Sequence, residues 1–309
     1  MINVLFAARE ARWPEYQIPL QQAFAKAGLT VNLSQNHPPD TVDYIVYAPN
    51  SDVQDFAPYT KCRGVLNLWA GVEDVVHNET LTQPLARMVD YGLTQGMIEW
   101  VTGHVLRLHL GMDAHILGQD GVWRTDTPPL SKDRRVSIFG LGALGAACGQ
   151  ALASLGFPVT GWSRSPKDIA GITCLNGDKG FQVALEAADI AVLLVPLTPQ
   201  TTGLINAAAL AQMPKGAMLL NPARGPVIDD EALLAALESG HIAQATLDVF
   251  AVEPLPADHP YWAHPAVTVT PHIASTTRAD TASEMIAKNI ARDQNGQGLI
   301  HLVDRTSGY

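Results

Sequence analysis

The chain has 309 residues, which is enough for two domains of ordinary size that each bury a core. Hydrophobic residues make up 47% and charged residues 16% of the sequence, a balance typical of folded globular proteins. The formal net charge of −10 disfavours nucleic acids and anionic membranes as partners, because both attract basic surfaces.

The cysteines and the N-terminal residues indicate the cellular compartment of the protein. The three cysteines Cys62, Cys148 and Cys174 are odd in number and have no metal-ligand spacing, so we expect buried thiols in a reducing compartment. Residues 1–6 lack the basic region of a secretory signal and predict a strand. No apolar run approaches the roughly 20 residues of a membrane span. The sequence therefore predicts a cytoplasmic protein that uses no metal and no membrane.

The first hundred residues alternate short apolar runs with a helical pattern. Strands are predicted at 2–7, 29–33, 44–47 and 64–68, and a helix at 14–27 that Gly28 ends. Such alternation indicates parallel β–α units in a small α/β domain. A longer helical pattern at 95–110 and a polar stretch at 118–133 lead into a second domain.

The second domain continues the same alternation. Strands are predicted at 135–139, 159–162, 190–195, 217–220, 245–249 and 267–270, and a helix at 229–239. The tail at 276–295 is helical and is expected to return to the first domain. We predict an α/β protein of two doubly wound, Rossmann-like parallel-sheet domains with a cleft between them. Their bounds are 1–97 plus 276–309 for a substrate domain, and 98–275 for a dinucleotide-binding domain.

The first motif that carries chemistry is a GxGxxG string beginning at Gly140. Alone it is a weak signal that can mark only a tight turn, but here an apolar strand precedes it and an amphipathic helix follows. Gly140 would permit the sharp turn, Gly142 the approach of a pyrophosphate and Gly145 close packing of helix on strand. The amides of Ala143 and Leu144, at the helix N-terminus, are predicted to bind the diphosphate.

The end of the next strand indicates which cofactor is preferred. NAD-specific sites usually place a carboxylate there, whereas this chain has Ser163, Arg164, Ser165 and Lys167 and no carboxylate before Asp168. A guanidinium, two hydroxyls and a second cation suit a ribose 2′-phosphate. We therefore predict that NADP(H) is preferred over NAD(H). The alternative is that the two cations only solvate a loop.

Three further motifs supply an arginine, a carboxylate and a histidine. Arg224, Glu253 and His272 each follow a predicted strand, and ligands of open parallel sheets bind beyond the carboxyl ends of the strands. An arginine can bind a carboxylate and polarise the neighbouring carbonyl, while a histidine oriented by a carboxylate can donate a proton near neutral pH. Each residue alone is more often a surface ion pair, a turn or a structural histidine. Together, in this order, they predict reduction of a 2-keto acid.

These motifs identify the chain as similar to the D-isomer-specific 2-hydroxyacid dehydrogenase family over nearly its whole length. Within that family it most resembles the bacterial glyoxylate/hydroxypyruvate reductase A group. The family resemblance lies in residues 140–145, 196–199, 221–225, 247–254 and 271–275. The resemblance to the reductase A group lies in residues 68–73, 162–165 and 303–309.

The resemblance implies an oxidoreductase that uses NADPH to reduce small 2-keto acids, glyoxylate to glycolate and hydroxypyruvate to D-glycerate. It implies that His272 is the general acid of the reduction and that Glu253 hydrogen-bonds and orients it. Arg224 would bind the carboxylate and carbonyl oxygen of the substrate. The amides of Ala70 and Gly71, in the first domain, would bind the same carboxylate.

The resemblance also implies further cofactor contacts and an assembly. The implied contacts beyond those already named are Pro196, Thr201, Ala223, Asp248 and Ala274. Of these, Asp248 would hold the nicotinamide carboxamide. The family resemblance implies a homodimer, with the helix at 95–110 and the following arm as its interface, although the same apolar stripe could pack within one chain.

Several positions leave the substrate open. Glu73 replaces the Asp that often follows Ala-Gly-Val in the family, and residues 47–50 lie where related reductases contact the substrate side chain. Arg87 either reaches the substrate or forms a structural ion pair, and Trp69 either shapes a small pocket or belongs to the core. The alternative functions are a reductase of larger 2-keto acids and, from another class, a nucleotide-sensing binding protein.

Overall fold

The structure, a computed structural model, describes all 309 residues, and the chain packs as two compact units. Unit 1 comprises Met1–Leu93 and Thr276–Tyr309, and unit 2 comprises Thr94–Ser275. The first passage between the units thus falls at Leu93 and Thr94 rather than between residues 97 and 98. Each unit is built on a parallel sheet, which confirms the predicted α/β fold class.

The elements are as follows. The strands of unit 1 are β1 (Ile2–Ala7), β2 (Val31–Ser34), β3 (Tyr44–Tyr47), β4 (Gly64–Asn67) and β5 (Leu85–Ala86). Those of unit 2 are β6 (Val136–Phe139), β7 (Val159–Ser163), β8 (Thr173–Asn176), β9 (Ile190–Leu193), β10 (Ala217–Asn221), β11 (Ile242–Leu247) and β12 (Val267–Val269). The helices are α1 (Trp13–Lys26), α2 (Tyr91–His109), α3 (Met112–Leu117), α4 (Ala143–Ser154), α5 (Gly177–Glu186), α6 (Ala207–Gln212), α7 (Asp230–Glu238) and α8 (Ala279–Gln294).

Unit 1 has a five-stranded sheet in the order β2-β1-β3-β4-β5, the flavodoxin-like arrangement. Successive side chains of a strand point to opposite faces, so β1 supplies Val4 and Phe6 to one core and Leu5 to another. Helices α1 and α8 cover the first of these faces. The C-terminal segment shields the edge strand β5, because Leu302 forms an antiparallel bridge with Ala86.

Unit 2 has a seven-stranded parallel sheet in the order β12-β11-β10-β9-β6-β7-β8. The chain starts at β6, proceeds outward through β7 and β8, and then returns to the other side of β6 at β9. The topological switch point therefore lies at the carboxyl ends of β6 and β9, where the Leu194 amide donates to the Phe139 carbonyl at 2.7 Å. Open α/β sheets bind their ligands at this point.

Several element boundaries differ from the predicted ones for local reasons. Helix α2 begins at Tyr91 rather than at residue 95, because the Asp90 carboxylate accepts hydrogen bonds from the amides of Gly92 and Leu93. Helix α8 begins at Ala279 rather than at residue 276, because the backbone before it is extended and the Thr277 hydroxyl donates to the Leu68 carbonyl.

Five further elements were not predicted. These are β5, β8, α3, α5 and α6, of which β5 has only 2 residues. Strand β11 spans Ile242–Leu247 rather than 245–249, because the chain turns at Asp248. No helix of the structure is both long enough and apolar enough to cross a membrane.

Candidate active site

The turn after β6 brings the glycines of the GxGxxG string into close packing. Gly140 has φ +109°, in the left-handed region that favours glycine. A methyl group at Gly145 would lie 1.8 Å from the Gly140 carbonyl oxygen, so α4 packs directly on the turn. A methyl group at Gly142, in contrast, would meet no atom within 4 Å. The turn therefore leaves open space beside Gly142.

This open space adjoins the N-terminus of α4. The amides of Ala143 and Leu144 are the first of the helix and have no carbonyl within it to bond. The first bond of the helix runs from the Ala146 amide to the Gly142 carbonyl, at 2.9 Å. Free amides and the positive end of the helix dipole suit an anion. The turn thus fits a cofactor pyrophosphate, and the structure brings all five of its predicted residues together.

The end of β7 carries the cluster predicted to select the cofactor. Ser163 is buried, and its hydroxyl donates to the Ser165 carbonyl at 2.8 Å, which closes the turn that presents Arg164. Arg164, Ser165 and Lys167 are exposed. Behind them the Trp162 indole donates to the Gly177 carbonyl at 2.9 Å and fixes the end of the strand. A guanidinium, an ammonium and a hydroxyl therefore lie in the segment that directly follows β7, the strand next to β6.

The segment after β9 forms a closed turn. The Thr201 hydroxyl donates to the Pro196 carbonyl at 2.6 Å and accepts from the Thr198 amide at 2.8 Å. The Thr201 side chain is thus bonded within the turn. A methyl group at Gly140 would lie 2.7 Å from the backbone nitrogen of Val195, and Pro196 is the next residue. The turn therefore sits beside the glycine loop.

A buried asparagine shapes the turn that carries Arg224. Asn221, at the end of β10, is 1% exposed. Its side-chain oxygen accepts from the Ala223 amide, and its side-chain nitrogen donates to the Arg224 carbonyl. The Arg224 guanidinium donates to the Ala223 carbonyl at 2.6 Å. A methyl group at Gly225 would lie 1.9 Å from the Phe250 carbonyl carbon, so this turn packs against the segment that follows β11.

Asp248 anchors the loop that carries His272. Its carboxylate is fully buried and accepts from the Thr270 hydroxyl at 2.5 Å and from the amides of Ile273 and Ala274 at 2.9 Å. Its backbone carbonyl accepts from the His272 amide at 2.8 Å. These bonds hold His272 at φ +54°, a left-handed conformation that is strained for a side chain of this kind. The predicted residues Asp248 and Ala274 are therefore bonded to each other.

The predicted pair of Glu253 and His272 is in contact. The His272 Nδ1 atom lies 2.7 Å from the Glu253 Oε2 atom, and the other oxygen of Glu253 accepts from the Phe250 amide at 2.9 Å. The carboxylate only accepts, so the Nδ1 nitrogen carries the hydrogen and the Nε2 nitrogen is the one left to face a ligand. The His272 side chain is 50% exposed and thus accessible.

In unit 1, a second buried asparagine shapes the turn that contains Ala70 and Gly71. Asn67 is 1% exposed, and its side-chain nitrogen donates to the carbonyls of Trp69 at 3.0 Å and Gly71 at 2.9 Å. The amides of Ala70 and Gly71 donate to no group of the protein. The Trp69 side chain is 37% exposed and does not belong to the core. The turn thus presents two amides that are available to an acceptor.

Three residues that support these turns were not predicted. Asn67, Asn221 and Thr270 fix the backbone of the segments that carry the predicted site residues. The first two are buried polar residues at the end of otherwise apolar strands. That pattern is the signal in the sequence that could have revealed them, because a buried amide must find partners.

Comparisons with known proteins show the family. The model of the family "D-isomer specific 2-hydroxyacid dehydrogenase, NAD binding domain" matches residues 104–274. Glyoxylate/hydroxypyruvate reductase A of Yersinia enterocolitica is 37% identical over 291 residues, which cover 91% of this chain and 92% of that protein.

Two solved structures are similar over the whole chain. A D-isomer specific 2-hydroxyacid dehydrogenase from Xanthobacter autotrophicus Py2, in complex with NADPH and MES, is 39% identical with a TM-score of 0.92, covering 100% of this chain and 99% of that one. An NADPH-dependent glyoxylate/hydroxypyruvate reductase from Sinorhizobium meliloti, in complex with NADP and sulfate, is 31% identical with a TM-score of 0.86, covering 100% of both chains. The protein therefore belongs to the D-isomer specific 2-hydroxyacid dehydrogenases, enzymes that use NAD(P).

Proposed function

We propose that this enzyme reduces small 2-keto acids with NADPH, glyoxylate to glycolate and hydroxypyruvate to D-glycerate. The observation that carries the proposal is the contact of 2.7 Å between His272 and Glu253 on an accessible imidazole. The contact lies at the carboxyl end of a sheet whose switch point carries the glycine turn that we propose binds the pyrophosphate. The relatives whose names include glyoxylate and hydroxypyruvate support these substrates for this chain.

His272 is the proton donor in this proposal. Its Nδ1 hydrogen is bonded to Glu253, so the proton that leaves during reduction is the one on Nε2. Glu253 keeps the ring in one orientation, and the Phe250 amide in turn holds Glu253. When bound, the dihydronicotinamide supplies the hydride for the carbonyl carbon. In the reverse direction the neutral Nε2 atom accepts the proton of the hydroxyl group.

Arg224 and two backbone amides bind the substrate. The Arg224 guanidinium is proposed to bind the carboxylate and the carbonyl oxygen, since its planar donors match two oxygens at once. The free amides of Ala70 and Gly71, in unit 1, are proposed as further donors to the carboxylate.

The cofactor preference rests on the end of β7. Arg164, Ser165 and Lys167 are proposed to bind the 2′-phosphate of NADP(H), while Ser163 ties the turn. Asp248, with Pro196, Ala223 and Ala274, is proposed to line the nicotinamide end of the site. The NADPH and NADP present in the similar solved structures support this preference.

We also propose that the enzyme is a cytoplasmic homodimer. The arm that follows α2 exposes a run of large apolar side chains, which is the property expected of an interface. These side chains are Ile116 at 62%, Leu117 at 81%, Val122 at 63%, Trp123 at 91% and Leu130 at 66% exposure.

The deciding experiment measures NADPH oxidation with glyoxylate, hydroxypyruvate, pyruvate and phenylpyruvate, in the wild type and in His272→Asn. We expect turnover of the first two substrates, and a loss of about 10²- to 10⁴-fold in kcat in the variant with an unchanged Kd for NADPH. Preference for phenylpyruvate would replace the proposed substrates. A variant that turns over at the wild-type rate would refute the mechanism. No turnover by a wild type that binds NADPH would favour the sensing role.

A further inference from the structure

Arg87 and Asn67 lie on the same face of the sheet of unit 1. Strands β4 and β5 are parallel, with Leu66 opposite Ala86, and Asn67 and Arg87 are the next residues along each strand. Ala86 and Met88 both pack in the core beneath α1 and α8, so the residue between them faces the other way. Asn67 follows Leu66 of that same core and also faces the other way.

Asn67 has a buried acceptor without a donor. Its nitrogen donates to two carbonyls, which fixes the orientation of the amide because a flipped group would place oxygen against oxygen. The remaining atom, Oδ1, is buried and has no hydrogen-bond partner. A buried acceptor without a partner costs about 1–3 kcal/mol and is rare in native structures.

Arg87 has donors without an acceptor. The sequence left a structural ion pair open for this residue, but its half-buried guanidinium has neither a hydrogen bond nor an ion pair. Burial alone lowers the pKa of Arg87, and no carboxylate opposes the shift. His301, whose carbonyl accepts from the Arg87 amide at 3.0 Å, has its pKa lowered by burial and then by Arg87 and Lys288. The surroundings of Arg87 are thus basic, with no counter-charge.

These unsatisfied groups adjoin the turn proposed to bind the substrate carboxylate. Asn67 holds that turn through Trp69 and Gly71, and the Met88 amide, next to Arg87, donates to the Trp69 carbonyl at 3.0 Å. A hydroxyl is the group that satisfies both, because it accepts from a guanidinium and donates to an amide oxygen. The oxygen on C3 of a 2-keto acid lies a few bonds from its carboxylate.

We propose that Arg87, supported by Asn67, is a specificity-determining residue that binds a hydroxyl on C3 of the substrate. This inference rests on the proposed function and deepens it, because it selects 3-hydroxy-2-keto acids over their unsubstituted analogues. A methyl group in the same place offers no acceptor to the guanidinium and no donor to Asn67 Oδ1. Sites built around such polar groups discriminate strongly against analogues that lack the hydroxyl.

The test compares kcat/KM for hydroxypyruvate with kcat/KM for pyruvate in the wild type, Arg87→Met and Arg87→Lys. Methionine removes the donors and keeps much of the length of the side chain. We expect the ratio of the two values to fall about 10- to 100-fold in R87M, as for a lost hydrogen bond to a charged group. R87K should retain part of the preference. The matched control is Lys288→Met, which removes a neighbouring exposed cation and should leave the ratio unchanged.

Two further readouts separate the outcomes. Because Arg87 has no partner within the chain, R87M should melt at or above the wild-type temperature; an unfolded or strongly destabilised variant would overturn the inference. A ratio unchanged in R87M, or lowered equally in K288M, would also overturn it. A wild type that reduces neither keto acid would instead refute the proposed function, and this inference falls with it.

Discussion

Replacing Gly142 by alanine is expected to weaken NADPH binding while leaving the stability of the fold unchanged. The added methyl group meets no protein atom within 4 Å, and the backbone at Gly142 has φ −74° and ψ −169°, which alanine adopts readily. The space is therefore not needed by the chain itself. If a pyrophosphate fills it, the methyl group displaces the phosphate from the first amides of α4.

The size of the effect follows from the bonds at risk. Loss of one hydrogen bond between an amide and a charged phosphate costs about 1.5–3 kcal/mol, which raises the Kd for NADPH about 10- to 150-fold. The matched variant is Gly145→Ala, whose methyl group would lie 1.8 Å from the Gly140 carbonyl oxygen. Helix α4 would have to move, at a cost of about 3 kcal/mol, which lowers the melting temperature by about 6–12 °C.

Fluorescence titration with NADPH and thermal melts of both variants provide the assay. The reasoning requires opposite results: weakened binding with an unchanged melting temperature for G142A, and a lowered melting temperature for G145A. A G142A protein that binds NADPH with the wild-type Kd would show that the pyrophosphate does not lie at this turn. A G145A protein as stable as the wild type would refute the packing argument.

Three other changes test separate parts of the site and the assembly. Glu253→Gln should lower kcat by more than about tenfold but by less than His272→Asn does, because the imidazole loses its carboxylate partner but can still donate a proton. A variant as active as the wild type in stopped-flow assays would contradict this. Arg164→Ala should shift the ratio of kcat/KM for NADPH over NADH toward NADH by about tenfold or more, and an unchanged ratio would remove Arg164 from the 2′-phosphate site. Trp123→Ser should shift the protein from dimer toward monomer in analytical ultracentrifugation, because Trp123 is 91% exposed in the single chain. A wild type that is a monomer would refute the proposed dimer.

The sequence was sufficient for the parts of the fold that repeat a local pattern. The apolar runs of β1 and β3 were predicted at their observed bounds, and the strand, glycine turn and helix at β6 and α4 follow from periodicity and motif together. The strand β5 could not be found in this way, because 2 residues carry no periodicity. It exists because β4 on one side and the C-terminal segment on the other supply its hydrogen bonds, and both contacts are long-range.

The residues proposed to react could be chosen from the sequence, but not the bonds that hold them. Chemistry limits the residue types that bind a carboxylate or donate a proton, so Arg224 and His272 stand out in the sequence. The left-handed backbone of His272, at φ +54°, has no local signal, because only a few per cent of residues other than glycine adopt a positive φ. It is imposed by Asp248, which is distant in sequence and reaches the loop through its carboxylate and its carbonyl.

The segment 248–250 links all three proposed reacting residues. The Asp248 amide donates to the Asn221 carbonyl at 3.0 Å, and Gly225 packs against Phe250, so the Arg224 turn is fixed to this segment from one side. The His272 loop is bonded to Asp248 from the other side, and the Phe250 amide holds Glu253. The spacing of the arginine, carboxylate and histidine therefore depends on how the ends of β10, β11 and β12 pack together. Because a misplacement of about 1 Å can cost about 10²-fold in rate, we expect the buried bonds of Asp248 to matter to catalysis in addition to its proposed cofactor contact.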